Sequence, residues 1–324
     1  MRKRYHLVSL DITLTEIVTH HAPSLPLPAS GKTGVRFAAL SSWSAQDLSL
    51  GRLVEGHVDA LAILAEAQAQ PVKAGSSYGV WAARNGTGTT KARRNGAGWW
   101  CLSGRKPFCS GSGLIDRALV TAETEDGYRL FDIALAENVV GVGVGSWQAV
   151  GMADSVSDTL EFGGSPIPPE RAIGDPGFYL DRLGFWFGAI GVAACWYGGA
   201  LGLVDNLIAS LPQSPPDVIT AELGRAVAHV RSMRNLLDHA AAAIDSDPEG
   251  AQVRGRELAL SVRYSVHHSS TQVLGHVAAA GGARPLCHDR TQAQRAADLY
   301  VYLAQHHGPL DAMELGRLAL SGAR

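Results

Sequence analysis

Cysteine is scarce in this chain, with four residues in 324, at Cys101, Cys109, Cys195 and Cys287. They form no CxxC pair and no dense, even spacing, which excludes a disulfide scaffold and a zinc ribbon and makes a reducing cytoplasm the expected setting. An excess of either charge is lacking too: 28 Lys+Arg against 30 Asp+Glu leave a net charge of −2. The basic residues occur in short, scattered groups (Arg2 to Arg4, Arg93-Arg94), so nucleic acid is not an expected partner. The histidine doublets His20-His21 and His267-His268 have no carboxylate three or four residues further on, so no metal site is expected. No apolar run with a small-residue cleavage site follows the basic Met1-to-His6 stretch, and no signal peptide is expected.

What the chain has is apolar content, 46% of its residues, enough to bury a sizeable core. Leu183 to Val204 carries no charge, is long enough to span a bilayer, and includes Gly198-xxx-Gly202. Its Gly and Ala content, with Trp and Tyr in mid-span, reads instead as a helix buried on all sides within a soluble bundle, with no membrane partner.

The texture changes twice along the chain. Residues 1–45 are punctuated by Pro23, Pro26 and Pro28 and show no strong period. From Asp47 to about Gln70, Leu50, Leu53, Val54, Val58, Leu61 and Leu64 recur at helical intervals with Arg52, Glu55 and Asp59 between them, which predicts an amphipathic helix stopped near Pro71. Between Ser77 and Pro169 short apolar runs alternate with turn signals such as Asn95-Gly96 and Asp126-Gly127. The clearest strands are residues 99–102, 118–120, 128–131 and 159–162. Beyond Gly174 the helical period returns over about 179–210, 217–245, 254–280, 290–305 and 310–320. The expectation is an α+β multidomain chain: a shortened helical N-terminal part (1–76), an antiparallel β-barrel-like middle domain (77–173) and a C-terminal helix bundle (174–324).

Two patterns invite a chemical reading and lack its context. Gly75-Ser-Ser77-Tyr-Gly79 matches a nucleophile elbow but has no apolar strand before it. Gly141-Val-Gly143-Val-Gly145 falls one place short of a dinucleotide fingerprint and reads as a β-domain loop.

Three strings, together with the order helices, β-domain, helices, resemble the acyl-CoA dehydrogenase superfamily of flavoproteins, including its dehydrogenase, oxidase and monooxygenase branches. They are WCLSGRKPFCSGSGLIDRALV at residues 100–120, WQAVGMADS at 147–155 followed by Leu160-Glu-Phe162 and Pro168, and AAAGGARPL at 278–286 followed by Arg295-Ala-Ala-Asp298. The resemblance spans Leu48 to Gly316. It implies bound FAD, with Phe108, Cys109 and Ser110 against the flavin ring, where an aromatic covers one face and donors at the ring edge stabilise charge on reduction. It also implies a homo-oligomer in which Gly281, Gly282 and Arg295 reach the adenine-diphosphate part of a neighbouring subunit's flavin; Arg295 matches with a slip of one residue.

In much of that superfamily a glutamate several residues beyond the Arg-Asp pair removes the substrate's α-proton. Here the residues after Asp298 read Leu299 to Gly308 without a carboxylate, and the slot falls on Gln305, His306 or His307. His306 and Gln305 are the candidate catalytic residues, a histidine serving as base through its near-neutral titration; Asp311 and Glu314 lie one and two turns further on. The resemblance implies a flavin-dependent oxidoreductase acting on a small molecule such as an acyl thioester. The alternatives are a monooxygenase of the same fold, in which dioxygen takes the electrons, and a flavin-free scaffold that has kept the fold.

Overall fold

The computed structural model describes residues 10–84, 89–143, 145–249 and 252–322. Residues 10–16 are helical, and after the proline-rich stretch come α1 (Thr33–Gln46) and α2 (Leu48–Glu66). Eight strands follow: β1 (Tyr78–Trp81), β2 (Lys91–Arg94), β3 (Trp100–Cys109), β4 (Arg117–Thr124), β5 (Gly127–Ala134), β6 (Val139–Val142), β7 (Asp158–Phe162) and β8 (Ala172–Ile173). The long helices α3 (Gly184–Ser210), α4 (Asp217–Ser246), α5 (Gln252–Gly281), α6 (Arg290–Leu303) and α7 (Gly308–Gly322) complete the chain. They fall into two compact units, Met1–Leu25 with Arg52–Gln148 and Ala153–Phe185, and Pro26–Gly51 with Ala149–Met152 and Trp186–Arg324.

In the first unit the strands lie in the order β6-β7-β3-β2-β4-β5-β8, with β1 also paired to β4. The turn signals made hairpins where expected. Asp126-Gly127 joins β4 to β5 in register from Arg117↔Ala134 to Thr124↔Gly127, with Gly127 at φ +126°. The sheet is nevertheless mixed, because β1 and β2 both run parallel to β4. Parallel pairing needs a long connection, and no turn motif between Trp81 and Arg117 encodes it. Gly141 of the glycine-rich stretch lies in β6, paired with Glu161, so the expected loop is in part a strand.

Ala60, Ile63 and Leu64 of α2 pack on Tyr78, Leu119, Leu130 and Ile173 to form a core beneath the sheet. The charged residues between them are not on a solvated face. Glu55 is 5% exposed and pairs with Arg52, while Asp59 lies 3.6 Å from Arg182, whose side chain is 2% exposed. Opposite charges placed together let α2 bury its second face as well, which spacing alone does not predict.

In the second unit, α3 is long and apolar enough to cross a membrane, yet 78% of its most apolar window is buried within the protein. Its glycines receive α1, a helix that the sequence reading missed because it is rich in serine and small residues. A Cβ at Gly198 would stand 2.3 Å from Ser41 O, one at Gly199 would stand 2.6 Å from Leu48 Cδ1, and one at Gly202 would stand 2.5 Å from Ala45 O. Ser41 Oγ donates across the contact to Ala194 O at 3.0 Å. The α1 backbone against Gly198 and Gly202, and the Leu48 side chain of α2 against Gly199, leave no room for side chains at these positions.

Gly198→Ala is therefore expected to lower stability by about 1–3 kcal/mol through overpacking, read as a fall in the urea midpoint. Gly224→Ala, inside α4 where a Cβ meets nothing within 4 Å, is expected to raise it by about 0.5–1 kcal/mol through helix propensity.

Candidate functional site

The corner expected to face a ring cofactor is built at a break in β3. Its register against β7 shifts between Lys106 and Cys109, and Phe108 within the shift takes a left-handed backbone, φ +58°. For a residue with a Cβ that conformation costs about 1–2 kcal/mol. Its effect is to turn the Phe108 ring outward, 53% exposed, between Lys106 and Cys109, which are both buried.

A net of serines behind the ring holds the chain in place. Ser110 Oγ and Ser157 Oγ lie 2.9 Å apart, as do Ser155 Oγ and Ser157 Oγ. Gly111 N donates to Ser155 O at 2.7 Å, and Trp81 Nε1 donates to Ser110 O at 3.1 Å. Val156, the β-branched residue opposite, is itself at φ +40°, so strained backbone is concentrated at this corner.

Cys109 is fully buried, and burial pushes its thiol pKa up to about 12. That makes it a packing residue, with its Sγ 3.2 Å from Lys106 O. Burial also lowers Lys106 to about 8, and its Nζ donates to Thr121 Oγ1 at 2.9 Å. Ser77 of the nucleophile-elbow pattern is likewise engaged, bonded to Asp116 Oδ2 through both its amide and its hydroxyl.

The remaining predicted residues lie in the helical unit, and the fold does not gather them in one place. Gly281 ends α5, and Gly282, at φ +62°, lines an apolar groove of about 290 Å³ with Leu286 and Tyr300. Arg295 lines a different cavity and donates from Nη1 to Ala45 O at the end of α1. One position earlier, Gln294 Nε2 bonds to Asp298 Oδ1 at 2.7 Å. The one-residue slip in the sequence match is thus a turn of about 100° around α6. Asp298 has a clear structural task. Its Oδ1 accepts from Met152 N, and a Cβ on Gly151 would lie 2.0 Å from Ala297 O. The Gly-Met string at 151–152 and the aspartate at 298, which the sequence presents as separate motifs, are two sides of one contact.

Gln305 is exposed beyond the end of α6. His306 is interior, its side chain 1% exposed. It lies between Trp196, with ring centroids 5.8 Å apart, and His267, at 4.5 Å. Nε2 lies 3.2 Å from Asp311 Oδ2 without hydrogen-bond alignment, and Nδ1 is buried with no partner among the described residues. Burial first, then the Arg263 charge and His267, lower its pKa to about 4. Glu55, buried beside Arg52 in the first unit, is a carboxylate that the sequence presents only as a polar position between the apolar residues of an amphipathic helix. Only the burial of both faces of α2 reveals it. Among the described residues no group of three His, Cys, Asp or Glu is placed to hold a metal.

Two outcomes follow from these environments. A thiol reagent at pH 8 is expected to label exposed Cys287 first and to leave Cys109 unmodified until the protein unfolds, as peptide mapping would read. For His306 the unfolded chain binds the proton more readily than the native one between about pH 6.5 and 4. The stability it permits is complete above that window and falls as pH drops through it. The expected loss is about 1–3 kcal/mol by denaturant titration, and His306→Gln is expected to flatten the slope.

No family model and no curated protein matches the sequence. Solved structures do. The chain is similar to butyryl-CoA dehydrogenase from Megasphaera elsdenii, with TM-score 0.81 and 16% identity over 95% of this chain and 89% of that one. It is also similar to the dibenzothiophene monooxygenase TdsC from Paenibacillus sp. A11-2 in complex with FMN and indole, with TM-score 0.79 and 18% identity over 99% and 98%. KijD3 in complex with dTDP gives TM-score 0.78 and 19% identity over 99% and 95%. Over nearly its whole length the chain has the acyl-CoA dehydrogenase fold.

Proposed function

We propose that the protein is a flavin-binding oxidoreductase acting on a small molecule, and that Phe108 supplies the face on which the flavin ring rests. The observation that carries this reading is the outward, left-handed Phe108 in front of the locked Ser110–Ser157 corner. A conformation that costs free energy and exposes a large apolar ring is kept where something is to be bound. The donor set fits in part. The Ser110 amide faces Phe108 O at 3.0 Å and its hydroxyl is held by Ser157, so the corner offers a rigid wall more than free donors. Gly282, in the helical unit, is exposed and without a side chain, which suits the role that the resemblance gives it toward a neighbouring subunit's flavin. FAD and FMN are both candidates: the resemblance implies the first, and TdsC and KijD3 were each crystallised with the second.

A bound flavin supplies a two-electron acceptor and, once reduced, a donor to dioxygen or to a partner protein. The chain's own residues decide what it is used for. Asp311, the first carboxylate after Asp298, stands 3.2 Å from the buried His306 and 4.0 Å from Arg263. It is therefore committed to an internal charge cluster. This favours oxidation that does not begin with removal of an α-proton by a carboxylate on this segment, and so favours the monooxygenase type over acyl-thioester dehydrogenation.

The second reading, a flavin-free scaffold, draws on the buried His306 and on Arg295 turned to Ala45 O. Visible absorption after incubation with excess FAD or FMN and desalting separates the two. The enzyme reading expects about one flavin per chain and about tenfold weaker binding in Phe108→Ala, the loss of one stacking face. Wild-type protein that retains neither flavin would overturn it in favour of the scaffold.

A further inference from the structure

A cavity of about 520 Å³ opens within the helical unit among α1, α3, α4 and α6, a size typical of small-molecule sites. Arg295 lines it, and the helices fix that side chain in a particular way. Nη1 donates to Ala45 O, and Gly202 leaves the space for it, since a Cβ there would stand 2.5 Å from both atoms. Nε is buried and has no hydrogen-bond partner among the described residues. A guanidinium gives a carboxylate charge-assisted hydrogen bonds. With Nη1 engaged by the backbone and Nε closed off from the cavity, Nη2 is the donor left open to it.

The rest of the wall sets the character of the ligand. Phe37 and Leu201 are apolar, and Arg234 is paired with Asp238 at 3.0 Å. Asp205, exposed on α3, is a further negative charge. Two arginines and two aspartates cancel, so the cavity has a local cation at Arg295 without a net positive field. Such a site favours a single negative charge on an apolar body and disfavours polyanions.

We infer that this cavity binds a small organic monocarboxylate, its carboxylate held by Nη2 of Arg295 and its apolar body lying against Phe37 and Leu201. The inference stands apart from the flavin reading. Arg295 is the residue that the family resemblance assigns to a flavin diphosphate, and its orientation gives it another ligand.

The test is calorimetric titration of the full chain with phenylbutyrate and straight-chain alkanoates from butyrate to decanoate. Phenylbutyramide is the neutral control and tripolyphosphate the polyanionic one. At least one carboxylate is expected to bind at least about tenfold more tightly than the amide and to shift the Arg295 Nε–H resonance in a heteronuclear NMR spectrum. Arg295→Gln is expected to abolish the difference, and Arg295→Lys to leave part of it. Should the Arg295 variants not fold, Leu201→Trp, which fills the cavity without touching the guanidinium, is expected to abolish binding. The inference is overturned by the absence of saturable binding at millimolar carboxylate, by equal affinity for the amide, by unchanged affinity in Arg295→Gln or Leu201→Trp, or by tighter binding of tripolyphosphate. Flavin retention measured on the same Arg295→Gln protein is expected to be unchanged, so this inference and the flavin reading fail separately.

Discussion

The helical unit depends on the absence of side chains along one stripe of α3. Gly198 and Gly202 let the α1 backbone approach to distances that any Cβ would block, while Gly199 makes room for the Leu48 side chain at the start of α2, and close-packed interiors do not absorb such changes by local adjustment. Two consequences follow from that contact. A helix with the length and composition of a membrane span is covered by protein over most of its apolar window. The end of α1 also comes within reach of Arg295, whose guanidinium then borders a cavity and is not free at the surface.

The β-rich unit is organised around a different constraint, strain held by hydrogen bonds. Phe108 and Val156 both occupy left-handed backbone, and the bonds among Ser110, Ser155 and Ser157 span the segment between them. The corner is rigid because its polar groups satisfy one another, and this leaves an aromatic face as its outward feature. Cys109 and Lys106, the reactive groups on either side, are buried and shifted in the directions that silence them as nucleophile and surface charge. Chemistry at this corner would come from what it holds, with the chain supplying shape and exclusion of water.

Much of this architecture was legible in the sequence because it rests on local signals. Period and breakers located the five long C-terminal helices to within a few residues, and Asp126-Gly127 marked its hairpin. The fold itself was legible through strings that have physical partners, such as Gly151-Met152 and Asp298, which meet in space. What was not legible is what depends on distant pairing: the parallel placement of β1 and β2 against β4, the burial of Glu55, and the serine-rich α1, whose polar residues are inside because a glycine stripe accepts them. The candidate site divides the same way. The Phe108 ring is exposed, whereas His306 and Arg295, named from position along the chain, turn inward, since a shift of one residue on a helix changes the direction a side chain faces by about 100°.

The central claim is that the exposed Phe108 ring is a platform for a flavin. The most direct measurement is an experimental structure of the protein prepared in saturating FMN. The account predicts the isoalloxazine stacked on the Phe108 ring, with the Ser110–Ser157 corner unchanged behind it. A structure in which Phe108 is covered by protein from another copy of the chain, with no flavin bound, would contradict the account and make this corner a protein interface.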